Sequence, residues 1–144
     1  MSYKGRFRPH NPEKYKGNPT TIIYRSLWEL KFMRYLDADK RVLEWSSEEF
    51  FIPYKDPSSN RVRRYFPDFK ARTNEKTVIF EIKPYKQTLQ PLKENYKTEN
   101  KFIKDILTYA TNNAKWKAAV AYCDERKWEF KVMTEYQLGL PQYK

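Results

Sequence analysis

The chain has 144 residues, with 29 Lys and Arg against 18 Asp and Glu, a formal charge of +11 and 17% aromatic residues. That length suits one domain able to bury roughly 70% of its unfolded surface, and no apolar run approaches the ~20 residues of a membrane span. One cysteine excludes an internal disulfide or a zinc knuckle, and one histidine excludes a His-metal cluster, so any catalysis must rest on carboxylates and lysines.

Residues 1–20 read as an extended basic arm. Pro9, Pro12 and Pro19, with Gly5 and Gly17, oppose a helix. Lys4, Arg6, Arg8, Lys14 and Lys16 are interleaved with Tyr3, Phe7 and Tyr15. Such an arm either lies along DNA or wraps the protein's own core. His10 falls in this stretch, a poor place for a general base. The opening residues carry no apolar secretory core, so the protein is expected to act where it is made.

The rest, residues 21–144, reads as one domain. A helix is expected from about Ser26 to Ala38, with Ser26-x-x-Glu29 as a capping box. VLEW (42–45) and EFFIPY (49–54) read as short extended pieces, and DPSSN (56–60) as a turn. VRRYFPDFKAR (62–72) and TVIFEIK (77–83) read as two strands joined near Asn74-Glu75. Residues 85–98 are polar and read as loop. Two helices follow, about 99–111 and 113–126, the second with Trp116, Ala119, Val120 and Cys123 on one face, which makes Cys123 a small core residue. WEFKVM (128–133) is a last strand. The fold class is α/β: helix, antiparallel β-meander, helices and a final strand in a mixed sheet.

The hairpin register follows from its apolar pattern. With Asn74 and Glu75 at the tip, Phe69 faces Phe80, Ala71 faces Val78, and Asp68 faces Glu81. A one-residue slip would break both the apolar match and the acidic one. Val78, Phe80 and Ile82 form the core face, leaving Glu81 and Lys83 on the other. Two carboxylates side by side are destabilising unless compensated. A surface ion ladder of Asp68, Glu81 and Lys83 is one explanation. The other is a divalent cation, since Mg²⁺ takes one or two carboxylates with water and phosphate oxygens. Glu29 adds to the second, because a helical wheel sets it among Phe32, Met33 and Leu36, where a carboxylate needs a partner, a proton or a metal. Folding back on the Ser26 N–H would also satisfy it.

On a basic, aromatic scaffold, this set suggests phosphodiester hydrolysis. Asp68, Glu81 and the Ile82 backbone carbonyl would hold Mg²⁺, with Mn²⁺ a substitute. Lys83 would orient water and stabilise charge on the phosphate. Glu29 would hold a second ion or tune the first. Arg63, Arg64 and Lys86 are candidate phosphate contacts beside ordinary solvated charge, as are Lys4, Arg6 and Arg8 of the arm. Tyr65 and Tyr85 either pack on sugar or base or sit at the edge of the core.

Pro67-Asp68 followed by Glu81-Ile82-Lys83 resembles the PD-(D/E)xK nuclease signature, with Glu in the variable place. More closely, YKGRFRP, NPEKYKGNPT, IIYRSLWELKF, VLEWSSEE, EIKP and NNAKWKAA with WEFKVMTE resemble the head completion nuclease family of T-even-type tailed phages. That resemblance spans nearly the whole chain. A more distant likeness runs to the cutting subunit of certain heteromeric transposases. The resemblance implies a restriction-endonuclease-like core with Glu29, Asp68, Glu81 and Lys83 as the active site. It also implies an endonuclease of the virion and host cytoplasm, acting on packaged double-stranded DNA or its end before tail attachment, with head or neck proteins as partners. A non-enzymatic DNA-end clamp or head plug, and a junction-resolving nuclease, are the rival readings.

Overall fold

The computed structural model describes residues 4–139; Tyr3 of the interleaved arm lies outside them. Strand β1 (Gly5–Arg6) pairs antiparallel with β2 (Ile23–Tyr24). Helix α1 (Leu27–Ala38) follows, then β3 (Glu44–Ser47), β4 (Ile52–Asp56), β5 (Arg61–Tyr65), β6 (Phe69–Arg72) and β7 (Thr77–Ile82). Helix α2 (Glu99–Arg126), β8 (Glu129–Met133) and the short α3 (Glu135–Leu138) complete the order. The central sheet runs β3-β6-β7-β8, with β3 and β7 antiparallel to β6 and β8 parallel to β7. It is the mixed α/β arrangement expected. Among the described residues no helix is long and apolar enough to cross a membrane.

The hairpin forms in the register its apolar residues require. Phe69 pairs with Phe80 and Ala71 with Val78, and the Thr73 N–H donates to the Lys76 carbonyl at 2.8 Å at the turn. The stretch 62–72, however, is two strands rather than one. Pro67 has no N–H for a ladder and biases Phe66 before it. The chain therefore changes partner there: β5 pairs with β4 in a separate two-stranded ribbon, and β6 pairs with β3 and β7.

The two expected helices are one continuous helix, α2, whose Thr98 side chain accepts from the Lys101 N–H at 3.3 Å. Thr111-Asn112-Asn113 is a weak helix-forming run, but such residues each cost only a few tenths of a kcal/mol. Packing overrides that: Asn112, Ala119 and Cys123 are all buried on the helix.

Both faces of β7 are covered, which corrects the expectation of a single core face. Phe69, Ala71 and Phe80 pack with Phe32, Met33 and Leu36 of α1 and with Phe7 and Trp45. Ile79, with no exposed surface, packs on the opposite side with Ile52, Tyr54, Tyr65, Ala119 and Cys123. Each such buried side chain contributes about 1.5–3 kcal/mol. Glu81 thus shares its face with a second core instead of solvent.

Of the two placements open to the N-terminal stretch, the described part wraps the core. Phe7 and Tyr15 are buried, and Tyr15 meets Trp45 edge-on at 4.8 Å. The buried Asp37 carboxylate accepts the backbone N–H groups of His10 and Asn11 at 2.8 and 3.1 Å. Lys14 Nζ donates to the carbonyls of Leu36, Asp37 and Asp39 at 2.7–2.9 Å, satisfying groups that a helix end leaves open. Lys4, Arg6 and Arg8 remain exposed on the outer side.

Candidate active site

Asp68 and Glu81 come together because β6 and β7 are in the register that joins their apolar faces. Asp68 stands at the strand break after Pro67, and its Oδ2 accepts the Ile82 N–H at 2.8 Å. Glu81 is 7% exposed, and its Oε1 accepts the Tyr65 hydroxyl proton at 2.8 Å. Tyr65 is itself buried, so it braces a carboxylate and does not face nucleic acid.

The electrostatics are those of a site short of positive charge. Burial raises the Asp68 pKa well above the usual carboxylate range, and the neighbouring charge of Glu81 adds to the effect, with smaller contributions from Glu29 and Glu48. Burial also raises Glu81, opposed by the Tyr65 hydroxyl, Lys83 and Lys115. The Tyr65 hydroxyl is pushed strongly upward by burial and by Glu81, so it stays a proton donor.

Glu29 sits in the first turn of α1, half-buried, where burial raises its pKa and Glu48 and Glu81 reinforce the rise. The Ser26 hydroxyl accepts the Glu29 N–H at 3.1 Å, as a cap should. The Glu29 carboxylate, however, accepts the N–H of Arg25 at 3.1 Å, not that of Ser26. Among the described residues no group of three or more His, Cys, Asp or Glu side chains is gathered tightly enough to hold a metal ion. Glu29, Asp68 and Glu81 therefore do not form one three-carboxylate ligand set. Two hard carboxylates with raised pKa values fit a Mg²⁺ ion whose remaining ligands are water and phosphate oxygens.

Lys83 follows β7, half-buried, and its N–H donates to the Met133 carbonyl at 3.0 Å. Arg63, Arg64 and Lys86 are exposed. Arg63 is partly engaged, with Nε 3.0 Å from Asp56 Oδ2. Tyr85 is 44% exposed, and its ring meets Tyr136 edge-on at 5.2 Å.

Two participants were not singled out from sequence. Lys115 lies on α2 with its Nζ 5.8 Å from the ring centres of both Tyr54 and Tyr65. The signal was present, since Lys115 precedes Ala119 by four and Cys123 by eight, placing a lysine in the core stripe. Glu48 is the other. It adopts φ 51°, a left-handed conformation rare outside glycine. Its N–H donates to the Asp68 carbonyl at 3.3 Å, and its carboxylate pairs with Arg25. Strain of this kind costs of order 1–3 kcal/mol and gathers at functional sites.

Compared with known proteins, the sequence matches the family described as TnsA-like endonuclease N terminal over residues 39–135. It is 37% identical over 139 residues to the head completion nuclease of Enterobacteria phage T4, covering 94% of this chain and 93% of that protein. The family-model match spans Asp68, Glu81, Lys83 and Lys115 and begins after Glu29, whereas the match to the phage protein, at 94% of the chain, takes in Glu29 as well.

Proposed function

The chain belongs to the head completion nuclease family and carries the TnsA-like endonuclease domain, and on that basis we propose that it is a Mg²⁺-dependent DNA endonuclease of a tailed phage. It would act in head completion on packaged DNA or its end, in the virion and the host cytoplasm, in contact with head or neck proteins. The observation that carries this reading is the convergence of Asp68 and Glu81, under like-charge repulsion, on a scaffold of formal charge +11. A fold that retains so costly a pair at one place has a use for positive charge there.

Asp68, Glu81 and the Ile82 carbonyl would hold the cation. When bound, the ion supplies Lewis-acid polarisation of the scissile phosphate and a more acidic water. The protein groups do the rest. The Ile82 N–H fixes one Asp68 oxygen, and Tyr65 fixes one Glu81 oxygen, so both carboxylates are oriented before substrate arrives. Lys83 would place the attacking water and stabilise charge on the phosphate. Lys115 adds positive potential behind Glu81. Glu29 tunes that potential from the α1 side. Arg63, Arg64 and Lys86, with Lys4, Arg6 and Arg8, would contact the DNA backbone.

The test is cleavage of linear and supercoiled duplex DNA with Mg²⁺ or with EDTA, beside Glu81→Ala. Cutting that needs the ion and is lost in the variant is the expected result. Equal cutting in EDTA would overturn the metal-dependent reading, and binding without cutting would favour a DNA-end clamp.

A further inference from the structure

The outer face of the β4–β5 ribbon carries two rings that no part of the active site uses. Ile52 pairs with Tyr65 at the base of the ribbon, so Phe51 and Phe66 stand opposite each other one step beyond. Side chains alternate along a strand. Ile52 and Tyr65 point into the core, and Phe51 and Phe66 are each 43% exposed. Their ring centres lie 5.8 Å apart at 51°. Arg64, on the same outer face, holds its guanidinium carbon 4.9 Å from the Phe51 ring centre. Exposed arginine thus abuts exposed aromatic surface.

This patch is tied to the carboxylates through the backbone. Phe66 precedes Asp68 by two residues, so their Cα atoms are at most about 7 Å apart. Phe51 follows Glu48 by three, and the Glu48 N–H donates to the Asp68 carbonyl at 3.3 Å.

We propose that Phe51, Phe66 and Arg64 form a stacking site for an unpaired nucleobase next to the scissile phosphate, so that the protein prefers DNA with a free end or unpaired base over continuous duplex. The inference rests on the nuclease reading for its location, but the base-binding claim stands separately. Every base has a π-face, and aromatic side chains bind it without regard to sequence. Inside a continuous duplex both faces of a base are covered by its neighbours, so the rings have nothing to take unless a base leaves the stack. Arg64 suits the occupant, because its cation can meet the phosphate of the nucleotide whose base lies on the rings. The basic ribbon residues Lys55, Arg61 and Arg63, all exposed, make a phosphodiester chain the complementary partner.

The experiment is binding of the full chain, in EDTA so that no cutting intervenes, to two DNAs of equal length and charge. One has a short single-stranded overhang carrying 2-aminopurine, and the other is fully paired with both ends closed by hairpin loops bridged by a non-nucleotide linker. Wild type is expected to bind the overhang DNA tighter and to quench the 2-aminopurine. One stacked base changes affinity by between about 5-fold and 150-fold. Phe66→Ala, and Phe51→Ala with it, should reduce that preference to nearly one and abolish the quench. Phe66→Trp should restore both, which a merely structural role for Phe66 would not predict. Equal binding of the two DNAs by wild type, or a preference unchanged in the double alanine variant, overturns the stacking site. A preference that holds while wild type fails to cut in Mg²⁺ overturns the nuclease reading and leaves the base site in place.

Discussion

Replacing Tyr65 by Phe removes one oxygen, and with it the hydroxyl that donates to the 7%-exposed Glu81. Tyr65 is 3% exposed, so solvent cannot readily supply a substitute donor. A hydrogen bond to a charged group is worth about 1.5–3 kcal/mol. Lys83 and Lys115 also act on Glu81, which argues for the lower end, about 1.5 kcal/mol. For a chain of this size that lowers Tm by about 5 °C. The loss should shrink as pH falls through the Glu81 pKa, which burial raises, because the acid then takes up a proton and asks less of its donor. The same variant leaves the carboxylate less firmly oriented, and groups that orient ligands typically change metal affinity or activity 10- to 100-fold, roughly. The assay is a thermal melt at pH 5 and pH 8, beside plasmid cleavage titrated with Mg²⁺. A Tyr65→Phe variant that melts within about 1 °C of wild type at pH 8 and cuts normally at limiting Mg²⁺ would refute the bracing role.

Glu81→Gln should abolish cutting yet raise Tm by about 3 °C without metal, because it removes one of two repelling carboxylates worth on the order of 1 kcal/mol. An acid whose folded pKa is raised, as both Asp68 and Glu81 are, stabilises fully below its unfolded pKa of about 4 and loses that contribution as pH rises through the folded value. Metal-free wild type should therefore lose stability above the ordinary carboxylate range, with a flatter profile in the variant, which melts across pH will show. Lys115→Met removes a charge that lowers the Glu81 pKa, so the acid limb of the pH–rate profile should move to higher pH; an unmoved limb would exclude Lys115 from the site's electrostatics. Asp37→Ala leaves the His10 and Asn11 N–H groups without their acceptor and should cost about 2–4 kcal/mol, with proteolysis at residues 4–16 far faster than in wild type.

Period-two patterning gave the β6–β7 register, and with it the meeting of Asp68 and Glu81, because only one register buries Phe69, Ala71, Val78 and Phe80 together. The Ser26 cap was equally local and equally legible. Pro67 also announced a break, but which strand β5 would choose beyond it depended on β4, a non-local fact. The single helix α2 was hidden because Asn112 counts against a helix until the sheet that buries it is known. Glu48 enters the site through backbone strain, which no local pattern records, whereas Lys115 stands in the core stripe of its helix, and only the docking of that helix shows which acid it serves. The second core behind Ile79 follows from α2 crossing the sheet, so Glu81 looked more exposed than it is.

The parallel pairing of β7 with β8 has a bearing on when the protein becomes dangerous to DNA. Between these neighbours the chain runs out through all of α2, so their contact closes a large loop and is costly in entropy. The β6–β7 hairpin, a local structure, needs no such closure and can bring Asp68 and Glu81 near each other early. At that stage water still surrounds both acids, and Lys115 is not yet beside Glu81. Docking of α2 and β8 dries the site, raises the carboxylates and supplies the lysine in one step. A chain with only the hairpin formed therefore carries the acidic residues without the dry, lysine-bearing surroundings that they have in the folded protein.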